Sequence, residues 1–244
     1  MRYTFDFSVL FQDQYFDLFV TGIRTTFMLT ASTLMLAFGF AVVLLGIRLT
    51  GFKPLEALVA IYVAFHRNVP MVVHILFWYF GVSAILPSPI SRWLYANHAE
   101  FTMAFVAIGL VGAAYISEDL RSAVRSIPAG QTEAARALGL SYVRTLRRVI
   151  LPQAFRISIP PLTNQTVLLF KNTSLAMAIG VLEATGAARE IENYTFRTFE
   201  VYIVITIFYL LVSLGIMWLG GVLATRFETI GRSSGPRKAS IAND

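Results

Sequence analysis

From Thr25 to Ile47 the chain carries no charged residue. Wound as an α-helix, such a stretch is about 34 Å long, enough to cross a hydrocarbon core of about 30 Å. Inside lipid a chain must satisfy its own backbone hydrogen bonds, and a long continuous run does so as a helix. Four more apolar segments follow, at about Leu55–Leu86, Phe101–Ile116, Ile159–Leu182 and Val201–Thr225. The expected fold is an all-α integral membrane protein with about five transmembrane helices. The segment 55–86 is too long for one straight span, and His66-Arg67-Asn68-Val69-Pro70 interrupts it. It reads as one broken or tilted helix, because Pro70 lacks a backbone donor and crowds the preceding turn. Splitting at Pro70 would give six spans, and a re-entrant path for either half also fits.

Composition agrees. Of the 244 residues 56% are hydrophobic and 14% charged, against about 25% charged in an ordinary soluble domain. With no cysteine, disulfides, thiol catalysis and thiolate-bound metals are excluded. The net charge of +6 reads as topology rather than as nucleic-acid binding, because the basic residues gather in loops between spans. Arg48, Lys53, the arginines from Arg121 to Arg156, and Arg226, Arg232, Arg237 and Lys238 fall on one side. Only Arg2, Arg92, Arg189 and Arg197 fall on the other, with Arg24 near a membrane edge. The basic side should be cytoplasmic, which puts the N-terminus outside and the C-terminus inside. Trp78, Tyr79, Trp93 and Tyr95 fit the outer interface, and membrane lipid is the surrounding partner. Asp6, Asp13 and Asp17 leave residues 1–19 without the pattern of a cleaved signal, so the first span is expected to direct insertion. The domain reading is an outer N-terminal segment 1–20, a transmembrane domain 21–227, and a flexible cytoplasmic tail 228–244.

The loop 117–156 on the basic side is the most informative. Pro128-Ala129-Gly130 breaks the chain, Thr132 is placed to cap a short helix with Glu133 in its first turn, and Gly139 ends it. Ser141 is placed to cap a second helix that stops before Pro152. Val143, Leu146 and Ile150 share one face of it, and Arg144, Arg147 and Arg148 the other. Two short helices at a glycine turn, one faced with alanines, suit insertion into a groove of a partner protein. A solvated helix lying near anionic lipid has the same composition.

Glu133-Ala134-Ala135-x-x-x-Gly139, nine residues, then Val149-x-Leu151-Pro152 resembles the signature Glu-Ala-Ala-x-x-x-Gly-x9-Ile-x-Leu-Pro of ABC importer permeases, with Val149 for isoleucine the one departure. Ala114 to Arg121, Gly130-Gln131, Arg67-Asn68-Val69-Pro70 and Lys171-Asn172-Thr173-Ser174-Leu175 are similar to elements of the polar amino acid branch of that family. Phe65 to Pro70 and the inserted loop Leu86–Trp93 look most like its glutamate/aspartate permeases. The resemblance covers about Gly22 to Phe227. It implies a non-enzymatic permease subunit of the bacterial inner membrane that works by alternating access. The loop 117–156 would be the cytoplasmic coupling-helix loop, docking on an ATP-binding subunit through Glu133, Ala134, Ala135, Gly139, Leu151 and Pro152. It implies as partners that subunit, which carries ATP and Mg, a second permease subunit and a periplasmic amino-acid-binding protein. This chain would hold no cofactor, metal or nucleic acid.

Arg67 and Lys171 each lie about twelve residues into their spans, near mid-depth. Charges there are costly and mark function by default. On one reading Arg67, Asn68, Lys171, Asn172 and Ser174 line a path for a carboxylate-bearing substrate. On the other, Arg67 and Lys171 pair with Glu118 or with backbone carbonyls and only hold spans together. His74 reads as a hydrogen-bonded packing residue. The stretch Glu183–Glu200, with Arg189, Glu190, Glu192 and Arg197, is either a meeting point for an external binding protein or a solvated amphipathic loop. A permease for another small solute, an ion-driven carrier and a membrane-embedded enzyme are the rival functions. No His-Glu-x-x-His, Gly-x-Ser-x-Gly or phosphate-binding Gly-x4-Gly-Lys motif occurs, and no internal repeat is visible.

Overall fold

A computed structural model describes residues 4–232. Those residues form helices and short connections. Helix α1 (Asp13–Leu49) is followed by α2 (Lys53–Asn68), α3 (Met71–Leu76), α4 (Ser88–Ala96) and α5 (Ala99–Arg125). Then come α6 (Ala129–Ala137), α7 (Tyr142–Thr145), α8 (Leu151–Asn172), α9 (Ala184–Thr195) and α10 (Thr198–Arg232). A π-type turn extends α3 so that the rod reaches Ile85, and a 3₁₀ segment, Thr173–Ile179, continues α8. Three helices, α1, α5 and α10, are each long and apolar enough to cross a membrane, and up to five spans result if each bent pair counts as one.

Several helices exceed their apolar cores. Helix α1 begins at Asp13 rather than near residue 25, because Asp13 in the first turn faces the positive helix end. Helix α10 runs on through Arg232, past the boundary expected at 228. The remainder of the expected tail, 233–244, lies outside the described residues.

Neighbouring side chains fix the running directions. At one end Arg48 donates to Glu118 at 2.9 Å; midway Gly109 and Gly112 lie against Leu36 and Ala37; at the other end Thr21 and Thr25 share a cleft with His98 and Glu100. Helices α1 and α5 are therefore parallel. Gln165 donates to Asp119 at 2.9 Å, Leu169 meets Gly112, and Gly180 sits beside Glu100, so α8 runs back. Gly220 packs on Thr163 while Tyr209 donates to Glu183 at 2.8 Å, so α10 reverses again. Two parallel helices, α1 and α5, require one net return between them. The pair Lys53–Asn68 and Met71–Ile85 supplies it, which gives five alternating passes.

That return is not a tilted helix. Its two halves meet at 107°. Val69 is extended (φ −102°, ψ 133°) and Pro70 opens the next helix (φ −59°, ψ 141°). Proline disfavours the α-region in the residue before it, and here Val69 is extended, so the chain turns a corner at Val69 rather than kinking through Pro70.

Helix α5 is the centre of the bundle: 61% of its apolar window is buried, against 11% for α10. Small residues make this possible. Ala37, Ala41, Ala104, Ala107, Ala113 and Ala114 are fully buried and let backbones approach closely. A Cβ at Gly112 would sit 2.9 Å from Leu169 and 3.0 Å from Ala37. Gly112→Val is expected to cost about 1–3 kcal/mol of overpacking, read as a lower melting temperature in detergent. Gly46→Val, with open space at the same atom, should leave it unchanged.

Candidate functional site

At the Arg48 end, α6 begins at Ala129, directly after Pro128, and not behind a Thr132 cap. Thr132 and Glu133 are interior positions, because Pro128 (φ −58°, ψ 138°) already sets the entry and needs no donor of its own. The stop is as expected. Gly139 takes φ +80°, its N–H donates to Arg136 O (2.9 Å), and Leu140 N–H donates to Ala135 O (3.1 Å). This is a Schellman cap, which needs a residue without a Cβ penalty in the left-handed region.

Ser141 stands at the next N-cap but makes no side-chain cap bond. The second helix does not stop before Pro152. A π-type turn, Leu146–Ile150, absorbs the proline at the start of α8, and the rod continues to Ile179. Of the expected apolar face, Ile150 is buried, Leu146 half-buried and Val143 exposed.

On α6 the side chains divide. Ala135 is buried, whereas Glu133, Ala134, Arg136, Ala137 and Leu138 are exposed, Leu138 at 82%. Leu151 is half-buried and Pro152 exposed where α8 enters the bundle. Tyr142 OH donates to Leu49 O at 3.0 Å, so the loop is tied to the end of α1. Beside it Glu118 receives both Arg48 (2.9 Å) and Arg121. The expectation that Glu118 anchors Arg67 or Lys171 is thus not met, since those two arginines reach it from closer positions.

The second cluster lies at the Val69 corner. Arg67, Asn68 and Asn172, with His66, Tyr115 and Leu168 among their neighbours, line a cleft of ≈ 410 Å³. The Arg67 guanidinium stands 5.1 Å above the Tyr115 ring, and Tyr115 OH reaches Arg67 O at 3.4 Å. Asn68 Nδ2 donates to Ala64 O at 2.6 Å, which leaves its carbonyl oxygen available. Lys171 and Ser174 are not among the lining residues. Ser174 donates to Lys171 O at 2.7 Å, and Lys171 is exposed. Successive helical residues point about 100° apart, so Asn172 enters the cleft and Lys171 does not. A larger cleft of ≈ 840 Å³ runs from Arg67 and Asn68 past Tyr115 to Arg48, Glu118, Arg121 and Arg125. The corner and the Arg48 end therefore share one open face with cationic walls.

Sequence reasoning missed two features. His66 and His74 stack across the corner at 5.1 Å and 5°, both buried, and His74 Nε2 has no hydrogen-bond partner. Ring stacking on His66 packs His74 in place, and the proline between the two histidines was the only signal that they face each other. Glu183 is fully buried. It accepts from Thr185 N (2.9 Å), Gly186 N (2.7 Å) and Tyr209 OH (2.8 Å), which knits α9 to α10.

The profile of the family described as binding-protein-dependent transport system inner membrane component matches residues 42–229. The chain is 32% identical over 185 residues to the glutamate/aspartate import permease protein GltJ of Escherichia coli (strain K12), covering 74% of this chain and 75% of that one. It is 34% identical over 207 residues to the probable glutamine ABC transporter permease protein GlnM of Bacillus subtilis (strain 168), covering 85% and 91%. Among solved structures, the crystal structure of an amino acid ABC transporter with histidines superposes with a TM-score of 0.81 at 27% identity, over 92% of this chain and 100% of that one. This chain, a multi-pass protein of the inner membrane, belongs to the binding-protein-dependent transport system inner membrane components.

Proposed function

We propose that this chain is the membrane-spanning subunit of an ATP-driven importer that carries a polar amino acid, with a carboxylate-bearing side chain such as glutamate or aspartate the best fit. One observation carries the substrate reading: Arg67, Asn68 and Asn172 converge on a cleft at the break between helices, where unwound backbone and a cation together suit a carboxylate. Relatives named for glutamate/aspartate and glutamine transport support a polar amino acid, and the first of them supports a carboxylate side chain.

The orientation follows the basic loops: the Arg48 end faces the cytoplasm and the Asp6 end the periplasm, with the N-terminus outside and the C-terminus inside. The transmembrane domain is 21–227, the coupling loop 117–156 and the tail 228–244. Glu133, Ala134 and Leu138 meet an ATP-binding subunit, Ala135 and Gly139 hold the shape that presents them, and Leu151 and Pro152 join the loop to α8. ATP and Mg reside on that partner. An Arg67-lined face cannot lie against lipid at mid-depth without large cost, so it faces a second permease subunit, identical or related. Lys171 and Ser174 border the path from the next helical face. A periplasmic binding protein delivers the amino acid, closure of the motor pair moves α6, and the connected α8 changes which end of the cleft is open.

The test is uptake by the complete complex in vesicles, offered labelled glutamate, glutamine, arginine and histidine. Glutamate or glutamine should enter only with ATP and binding protein present. Removing a charge-assisted contact costs about 1.5–3 kcal/mol, so Arg67→Ala should cut uptake about ten- to hundredfold with ATP hydrolysis retained. Arginine uptake that is indifferent to Arg67→Ala would reject the carboxylate reading.

A further inference from the structure

The corner after α9 sits at the Asp6 end, opposite the coupling loop. Helix α9 has two faces. Ala184, Ala187, Ala188 and Ile191 are fully buried, while Arg189, Asn193 and Tyr194 point outward. Directly after it, Phe196 adopts φ 56°, ψ 24° and is 83% exposed. A bulky residue in the left-handed region costs about 1 kcal/mol or more, and leaving its ring in the open forgoes about 1.5–3 kcal/mol of burial. Among the described residues nothing covers the ring.

The corner is nevertheless pinned. Arg197 donates to Thr4 O at 2.9 Å and to Glu200 at 3.5 Å, and stands 3.7 Å from the Asp6 carboxylate. The fully buried Glu200 side chain accepts from Asp6 N at 2.8 Å, and Phe5 sits edge-on to Phe199. The Ser8 hydroxyl and N–H, with help from Arg197, hold the Asp6 carboxyl below its usual range, so this strap stays charged at neutral pH. The acidic residues of the segment thus belong largely to the framework, and what is presented is an arginine, a tyrosine, an asparagine and a phenylalanine.

We infer that Arg189, Asn193, Tyr194 and Phe196 form the seat on which the external binding protein docks. This rests on the importer reading and its orientation. Exposed aromatic and arginine side chains are the residue types that dominate binding energy at protein interfaces, and a corner pinned before docking lowers the entropy lost on binding. The family is defined by dependence on a binding protein, and the seat lies on the end such a protein approaches. Arg189 has no ion-pair partner among the described residues, so the complementary surface carries a carboxylate opposite it and a shallow apolar pocket for Phe196. Contact with lipid hydrocarbon would not suit the guanidinium and amide on the same face.

The test uses the complete permease–motor complex in lipid nanodiscs, titrated with amino-acid-loaded binding protein while ATP hydrolysis is followed. Phe196→Gly keeps the backbone geometry and removes the ring; Arg189→Glu reverses an exposed charge. Each should raise the half-saturating concentration of binding protein about tenfold or more, at an unchanged melting temperature for Arg189→Glu and an unchanged or raised one for Phe196→Gly. Half-saturation within twofold of the parent in both variants overturns the docking seat. The same holds if Phe196→Gly lowers only the melting temperature, which would mark the ring as a lipid anchor. A parent complex that loaded binding protein does not stimulate overturns the importer reading, and the seat with it.

Discussion

Gly139→Val should abolish ATP-driven uptake while the protein still inserts and accumulates. The Cβ position at Gly139 is open, with nothing within 4 Å, so the penalty is entirely one of backbone. A β-branched residue at φ +80° is a genuine outlier and costs about 1–2 kcal/mol. That is small against a membrane bundle but large for a helix of nine residues, which is marginal without its cap. The Schellman turn would open, Leu138 would lose its fixed position, and the exposed face of α6 would no longer match a partner. Gly139→Asp should be milder, because aspartate visits the left-handed region more readily. Gly130→Ala, with open space at its Cβ, should be neutral. Uptake and ATP hydrolysis measured on the same reconstituted complex decide the matter. Import at the parent rate by Gly139→Val would remove the turn from the coupling path.

Glu183→Ala should be the most destabilising single change in the chain. The carboxylate is fully buried and accepts from two backbone amides, from Tyr209 OH and, at 3.4 Å, from Thr26. Thr26 Oγ1 in turn accepts from Ala184 N at 2.9 Å. Alanine would strand these donors at about 1–3 kcal/mol each, and a total loss of about 3–5 kcal/mol is typical of breaking a buried charged network. Glu183→Gln retains one acceptor oxygen and should fall between. Tyr209→Phe removes one donor along with its need and should cost about 1 kcal/mol. Melting temperatures in detergent should rank parent, Tyr209→Phe, Glu183→Gln, Glu183→Ala. An alanine variant as stable as the parent would show that water replaces the carboxylate.

The contrast between these two residues marks what was legible in one dimension. Gly139 was readable because its partners, Ala135 and Arg136, lie within one turn of it. Glu183 was not, because Thr26 stands 157 residues away and Tyr209 26 away, and nothing in the local composition reveals either. The five passes followed from uncharged runs, and the interruption at Pro70 was legible as a broken or tilted helix, but its 107° angle was not, since sequence locates a proline and not the angle the neighbours impose. The cap assigned to Thr132 failed because Pro128 fixes the helix start four residues earlier, and the stop assigned to Pro152 failed because a π-type turn makes room for the missing donor. Arg67, Asn68 and Asn172 were grouped by their polarity at the expected mid-depth, and the three line one cleft. Lys171 was grouped with them by adjacency, which on a helix means facing elsewhere.

Helix α10, the least buried of the three long helices, also leaves the ribosome after every other described element. Tyr209 is therefore the last donor to reach Glu183. Until that helix arrives, Glu183 keeps only its two amide donors and Thr26, and the shorter nascent chain remains marked by one unfilled acceptor position. Arrival of α10 and closure of this hydrogen-bond network are the same event, so a chain halted before Tyr209 is expected to be cut by membrane proteases more readily than one that carries α10.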